Sequence, residues 1–421
     1  MADIISLLPE SLSNQIAAGE VVQRPASVVK ELLENSIDAD AKNISLIVKD
    51  GGKSLIQVVD NGKGMSETDA RLSFERHATS KLKTSEDLFK ICTKGFRGEA
   101  LAAIAAVAQV DLKTKTSEPK LGTQIIIEGG KVLSQEPCQA ATGCNFSVKN
   151  LFFNVPARRN FLKDDGVELK HIIEEFERVA LAHPEVAFTL NSNKNDIFNL
   201  PAGTLIQRIT HLFGNNLKEK LVAIEEKTPY LKVRGYIGKP EAALKKRGTQ
   251  FLFVNNRFIR SPYIHYAIVN AYADLIGPGL NPHYYVFLEL PPQSIDINIH
   301  PTKTEIKFED EKTVFMLLQS AAKRALGKAN LSPSMEFENE NTFDLNYAKK
   351  ITDIKPPGVT VDTNFNPFKN KGILLSPNGN NDKQAQNWNQ QFEQYKNQEA
   401  QEIETQQQQT PLFEKEENLI N

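Results

Sequence analysis

The feature that most constrains this chain is a change of composition near Leu331. From there onward about a quarter of the residues are Asn or Gln, Gln406–Gln409 stand in a row, and apolar residues are isolated. Such a stretch cannot bury enough surface to offset the entropy of ordering it, so residues 331–421 read as a disordered linker. A linker usually leads somewhere. The whole chain has 421 residues, two to three times a typical domain, so more than one core is expected ahead of the linker.

The net charge of −2 hides an asymmetry. The linker carries 14 acidic and 8 basic residues, which leaves 38 acidic and 42 basic in residues 1–330. A mildly basic body permits nucleic-acid contact without demanding it. Cys92, Cys138 and Cys144 are widely spaced and odd in number, which argues against a disulfide framework or a zinc site. The start lacks a basic segment followed by a long apolar run. The longest apolar stretch, near Ala100–Ala108, is Ala-rich and too short to span a bilayer. A soluble cytoplasmic protein without membrane contact is expected.

Residues 1–200 mix two periodicities. Ser27–Ala39, Gly98–Ala108 and Leu169–Leu181 read as helices, and Ser66 with Asp69 resembles a capping box opening a further helix through Phe74. Ile44–Val48 and Leu55–Val59 read as strands joined by the turn Asp50-Gly51-Gly52, and Val110–Lys115 and Thr123–Glu128 read as two more. This mixture suggests a layered α/β domain. A second unit begins around Pro201–Asn216, with strands near Lys232–Ile237, Gln250–Val254 and Tyr284–Leu290 and helices near Tyr263–Leu275 and Lys312–Leu326.

Three stretches suggest chemistry. In KELLENSIDADA (30–41), at about 100° per residue, Glu31, Glu34, Asn35 and Asp38 share one side of a helix. Leu32, Leu33, Ser36 and Ile37 take the other. A solvated face is the plain reading. Yet the row Glu31, Asn35, Asp38 is purely oxygen-bearing, suited to a hard cation or to activating water. Geometry leaves open whether Glu31 or Glu34 is the base. VVDNGKGM (58–65) runs a strand into glycines. It is either a hairpin turn or a pocket in which Asp60 accepts from an amine and Gly62 and Gly64 admit a flat ring. KGFRGEAL (94–101) places Gly95, Arg97 and Gly98 before a helix, an arrangement that suits phosphate oxygens or only gives the loop flexibility. Between the last two stretches, RHATSK (76–81) offers Arg76, Thr79, Ser80 and Lys81 as a lid or a solvated loop.

Their order resembles the GHKL ATPase superfamily, which includes gyrase-type topoisomerases, heat-shock chaperones and histidine kinases. NQIAAGEVVQRPASVVKELLENSIDADA (14–41), RHATSK with GFRGEALA (95–102), FFNVPARRNFL (152–162), FVNNRFIR (253–260) and NIHPTKTEIKF (298–308) narrow the resemblance to the MutL family of DNA mismatch repair. It covers residues 1–330, and the tail is similar to the family's linker. The resemblance implies a Bergerat-type α/β sandwich ATPase domain over 1–205, a smaller transducer-like α/β domain over 206–330, and a disordered tail. It also implies roles. Glu31 activates the attacking water, Asn35 holds Mg2+, and Asp60 reads the adenine amino group with Gly64 lining the base pocket. Arg97 and Gly98 bind phosphate, and Lys303 reaches the γ-phosphate from the second domain. Glu34 then returns to the solvated face. After Gly143 the family commonly has two threonines where this chain has Cys144 and Asn145, so a hydroxyl near the adenine is expected to be missing.

The pattern implies a slow ATPase switch in mismatch repair that pairs two ATPase domains when ATP binds. It would work between a MutS-type mismatch sensor and downstream repair enzymes. Arg158, Arg159, Lys245, Lys246, Arg247, Arg257 and Arg260 are candidates for non-specific DNA contact. A topoisomerase- or chaperone-like GHKL machine is the alternative. Nicking of DNA is not expected, because the D-Q-H-A-type motif of the family's endonucleases is not found. Gln409, Leu412 and Phe413 resemble the short peptides that dock on the bacterial sliding clamp, or match them by chance in a Gln-rich tail.

Overall fold

The computed structural model describes residues 10–81, 94–95, 98–118, 120–245, 248–296 and 306–331. The expected linker beyond Leu331, with its clamp-like peptide, lies outside them. So do Arg97, Lys246, Arg247 and Lys303.

Helices α1 (Glu10–Val21) and α2 (Pro25–Asp38) lead into the hairpin β1 (Asn43–Lys49) and β2 (Leu55–Asp60). Pro25 opens α2, where its missing N–H would have had no helical partner. Next come α3 (Glu67–Leu72), α4 (Ala100–Val107) and four strands: β3 (Gln109–Lys115), β4 (Gly122–Glu128), β5 (Lys131–Cys138) and β6 (Gly143–Lys149). Ser66 caps α3 by accepting from the Asp69 N–H, as its spacing predicts. Helices α5 (Pro156–Phe161) and α6 (Asp165–Ala182) precede β7 (Ala187–Ser192) and β8 (Asn195–Leu200).

These strands form one eight-stranded sheet in the order β5-β4-β3-β6-β2-β1-β7-β8, antiparallel except where β1 meets β7. Alternation turns Ile44, Leu46, Val48, Ile56 and Val58 to one face, where they cluster with Val28, Val29, Leu32 and Leu33 of α2. Burying each such side chain contributes roughly 1.5–3 kcal/mol, so packing rather than propensity holds α2 in place.

Helices α7 (Leu205–Phe213) and α8 (Leu217–Lys220) lead to β9 (Leu221–Lys227), β10 (Lys232–Gly238), β11 (Gln250–Val254), β12 (Arg257–Ile259), α9 (Pro262–Ala271) and β13 (Tyr284–Glu289). The five strands form a second sheet, β12-β11-β13-β10-β9. It shares a core with α9 and α10 (Glu311–Leu331) through Ile264, Ile268, Leu318 and Ala322. A third cluster joins the two layers: Leu181 and Ala182 at the end of α6 and Ile209 of α7 meet Phe253, Tyr285 and Phe287. Arg208 is buried beside this seam and donates to the carbonyls of Ala180, Pro184, Val186 and Pro201.

β5 to β9 and β12 are strands beyond those the sequence predicts. β5 is an edge strand with little alternation in its burial, so it lacks the period-2 signal. β7 and β8 turn through Asn193-Lys194, both at positive φ, a hairpin without the usual glycine. Among the described residues no helix is long and apolar enough to cross a membrane.

Candidate active site

At one end of the site stands Asp60, the last residue of β2 and 7% exposed. Its Oδ1 accepts from the N–H groups of Gly62 (2.9 Å) and Cys144 (3.2 Å), and its Oδ2 accepts from the Ser36 hydroxyl (2.8 Å). The Cys144 bond follows from register, since Asp60 faces Cys144 across the β2–β6 pair. A carboxylate oxygen has two lone-pair sites, so Asp60 keeps acceptor capacity for one further donor. Gly64 sits at φ +67°, and a Cβ there would overlap the Lys115 carbonyl, so only glycine fits. A Cβ at Gly62 would lie 2.7 Å from the Ala39 oxygen.

The Thr114 hydroxyl donates to the Gly143 carbonyl (3.0 Å), accepts from the Met65 N–H (2.9 Å) and touches Cys144 Sγ at 3.2 Å. A hydroxyl is therefore present beside residue 144, supplied by β3. Burial, with Asp60 next to it, pushes the Cys144 thiol up to about 12, so it stays neutral. Asn145 points elsewhere and accepts from Gln57 Nε2 at 2.9 Å.

At the other end, α2 presents Asn35 and Asp38. The Lys81 ammonium lies 3.1 Å from Asn35 Oδ1 and 2.6 Å from Asp38 Oδ2. Asp38 also accepts from the backbone N–H groups of Lys94 (Oδ1, 3.0 Å) and Gly95 (Oδ2, 3.1 Å). An ammonium seated between an amide oxygen and a carboxylate is a stand-in for a hard cation, so this donor set fits one. Among the described residues no three His, Cys, Asp or Glu side chains converge as a metal cage. Glu31, one turn before Asn35, is half-buried.

Other predicted residues fall around this end. Gly95 borders the Lys81 ammonium, and Thr79 Oγ1 accepts from the Lys81 N–H at 3.1 Å. Ser80 is exposed. Gly98 holds φ +63°, its carbonyl accepts from the His77 N–H (3.0 Å), and a Cβ there would lie 2.5 Å from the Ala78 oxygen.

Two expectations are corrected. Glu34 is not on a solvated face. It is 8% exposed and lines a cavity of about 30 Å³ with Lys94, Arg178, His183, Asn256 and Arg257, because α6 and the β11–β12 turn cover that side of α2. Arg257 is 7% exposed, and its Nη2 donates to the Lys94 carbonyl at 3.1 Å, so it is an interior arginine and not a surface open to DNA. Arg158 is half-buried against Gly19, whereas Arg159, Lys245 and Arg260 are exposed. Burial draws the Lys94 ammonium down to about 8, opposed by Glu34 and reinforced by Arg257. Sequence reasoning missed Ser36 and Thr114. Ser36 carried a signal, being polar on the apolar side of its helix, and Thr114 carried none.

Two family models match the chain. One is described as a histidine kinase-, DNA gyrase B- and HSP90-like ATPase and covers residues 23–139; the other is the C-terminal domain of a DNA mismatch repair protein and covers residues 209–327. DNA mismatch repair protein MutL of Flavobacterium psychrophilum is 58% identical over 369 residues, 88% of this chain and 60% of that protein. The MutL of Bacteroides fragilis is 56% identical over 369 residues, 88% of this chain and 59% of that protein. The chain thus spans about three fifths of the length of these curated relatives. A solved N-terminal domain of a DNA repair protein superposes with a TM-score of 0.64 at 24% identity, covering 76% of this chain and 99% of that one. The Aquifex aeolicus MutL ATPase domain complexed with ADP gives a TM-score of 0.50 at 26% identity, covering 71% and 98%. The fold is the GHKL ATPase fold, and most of the chain is similar to the MutL proteins of DNA mismatch repair.

Proposed function

We propose that this chain binds and slowly hydrolyses ATP with Mg2+, as a nucleotide-driven switch in DNA mismatch repair. One observation carries the reading. Neighbouring residues of α2 serve both ends of one site: Ser36 fixes the Asp60 carboxylate, and Asn35 faces a cation. Two ends of that kind match a nucleotide, with adenine at Asp60 and phosphates toward Asn35.

Asp60 accepts from the adenine amino group, and Gly62 and Gly64 leave room for the ring. Asn35 Oδ1 holds Mg2+, which when bound neutralises phosphate charge. Thr79, Ser80, Lys81, Gly95, Arg97 and Gly98 surround the phosphates, and Lys303 brings a positive charge to the γ-phosphate. Glu31 takes a proton from the attacking water, whose oxygen bonds to the γ-phosphorus as the bond to the ADP oxygen breaks. Positioning and fixed charge supply most of the catalysis in such transfers.

In this reading the ATPase domain ends near residue 205 and the transducer-like domain near 330. ATP favours a paired homodimer by population shift. Arg158, Arg159, Lys245 and Arg260 contact DNA phosphates without reading sequence; Arg257 is left out because it is buried. A MutS-type sensor and downstream repair enzymes are the protein partners, and the cytoplasm is the compartment. Gln409, Leu412 and Phe413 would engage a sliding clamp, which calorimetry with a tail peptide tests. The deciding experiment is calorimetric titration with ADP and ATP, with and without Mg2+, beside DNA binding across a salt series. Micromolar to millimolar nucleotide binding that Mg2+ strengthens is expected, with DNA affinity falling steeply as salt rises. No nucleotide binding under either condition contradicts the reading.

A further inference from the structure

Lys94 stands where three elements meet. Its N–H donates to Asp38 Oδ1 of α2 at 3.0 Å. Its carbonyl accepts from Arg257 Nη2 at 3.1 Å, and its ammonium donates to the Asn256 carbonyl. Asn256 and Arg257 belong to the β11–β12 turn of the second sheet, so backbone and side chain of one residue both grip it. Lys94 is 8% exposed, and the 30 Å³ cavity beside it is lined by Glu34 of α2, by Arg178 of α6 and by Phe258 of β12.

The bonds continue in both directions. Toward the cation end, Asp38 Oδ2 takes the Lys81 ammonium at 2.6 Å, and that ammonium also meets Asn35 Oδ1 at 3.1 Å. Into the second sheet, Arg234 Nη2 donates to Asn256 Oδ1 at 3.0 Å while its Nε donates to Glu289 Oε1 at 3.0 Å. A contiguous chain of polar contacts therefore runs Asn35, Lys81, Asp38, Lys94, Asn256, Arg234. Every link is a side chain or peptide group with a named partner.

We propose that Lys94 is the positioning residue that couples occupancy of the Asn35 cation–phosphate site to the seating of the β11–β12 turn. The physical reason is a shared acceptor. Asp38 holds both the Lys81 ammonium and the Lys94 backbone, so a cation arriving at Asn35 competes with Lys81 and redistributes what Asp38 accepts. Any shift at the Lys94 peptide is then felt at Arg257 and Asn256, because the same residue binds both. Glu34 supplies the negative charge that makes a lysine tolerable in this enclosed place. This inference rests on the nucleotide reading.

The test uses the full chain and amide hydrogen exchange, with Mg–ADP as the probe. In the wild type, Mg–ADP should slow exchange in peptides covering 35–38 and 60–64. It should also change exchange at 250–259 by about fivefold or more, the lower end of ordinary site–site coupling. Lys94→Met keeps the aliphatic stem and removes the charge. It should retain the response at 35–38 and 60–64, weaken the response at 250–259 because the link to Asn256 is lost, and regain it in Lys94→Arg. If Lys94→Met does not fold, Arg257→Lys gives the same readout, because it withdraws the fork from the Lys94 carbonyl and keeps the charge. A full response at 250–259 in these charge- or fork-deficient variants overturns the coupling. So does a wild type that responds at 35–38 and 60–64 but not at 250–259. A wild type with no protection anywhere sinks the nucleotide reading, and the coupling with it.

Discussion

Asp60 and Asp38 sit at opposite ends of the same site and are held in different ways. Asp60 takes its hydrogen bonds from α2, from the turn after β2 and from β6, elements fixed by the largest core cluster. Asp38 takes its bonds from Lys81 and from the peptides of Lys94 and Gly95, three residues that belong to neither a helix nor a strand. The base end is thus prepared before any ligand arrives. The cation end is held by a lysine and two loop amides that a ligand must displace or recruit. Recognition of a flat base benefits from rigid geometry, whereas a site that changes state needs bonds that can be exchanged.

The contrast is breakable. Asp60→Ala removes the carboxylate proposed to read the base and strands the Ser36, Gly62 and Cys144 donors. Adenine-nucleotide affinity should fall by about 3 kcal/mol, roughly 150-fold, with or without Mg2+. Asn35→Ala should act on one end only. Calorimetry should show about tenfold weaker Mg–ADP binding and little change for ADP without metal, since only the cation loses a ligand. Equal losses in both conditions would erase the distinction between the ends.

An effect smaller than that of Asp60→Ala concerns Lys94, which faces Glu34, Asp38, Glu185 and Arg257. Its ammonium is drawn down to about 8 in the folded chain and titrates near 10.5 when unfolded. The folded state therefore binds fewer protons between those values, and this group's stabilisation is lost as pH falls through about 8. Relative to Lys94→Met, the wild type should gain on the order of 2 kcal/mol in denaturant midpoint experiments between pH 7 and pH 10. Parallel pH profiles for the two proteins would contradict this. The smallest effect belongs to Cys144→Thr. Asp60 is held by the backbone N–H of residue 144 and not by its side chain, so nucleotide affinity should change by less than about threefold.

The base end was also the more legible end. β2 alternates, Asp60 closes it, and glycines follow, so strand and turn could be read locally. The helix wheel of α2 placed Asn35 and Asp38 on one side, and the Lys81 ammonium meets both. It failed at Glu34, because whether a helix face is wet depends on what packs against it. Here the cover comes from α6 and from a turn more than two hundred residues away. Arg257 fails for the same reason. A charged residue in a polar-looking segment reads as surface, and only tertiary contacts show it buried. Arg208 is the extreme case, an arginine inside α7 whose guanidinium serves four carbonyls. Thr114 places a hydroxyl beside Cys144 from a neighbouring strand, where a local reading of residues 143–145 finds none.

The central claim is that one carboxylate of α2 activates water while its neighbours bind. Glu31→Ala, measured in parallel for nucleotide affinity and for phosphate release, tests it most directly. The account predicts binding within about threefold of wild type and loss of hydrolysis by at least about a hundredfold, at the lower range of general-base contributions. Hydrolysis at the wild-type rate in Glu31→Ala would contradict it.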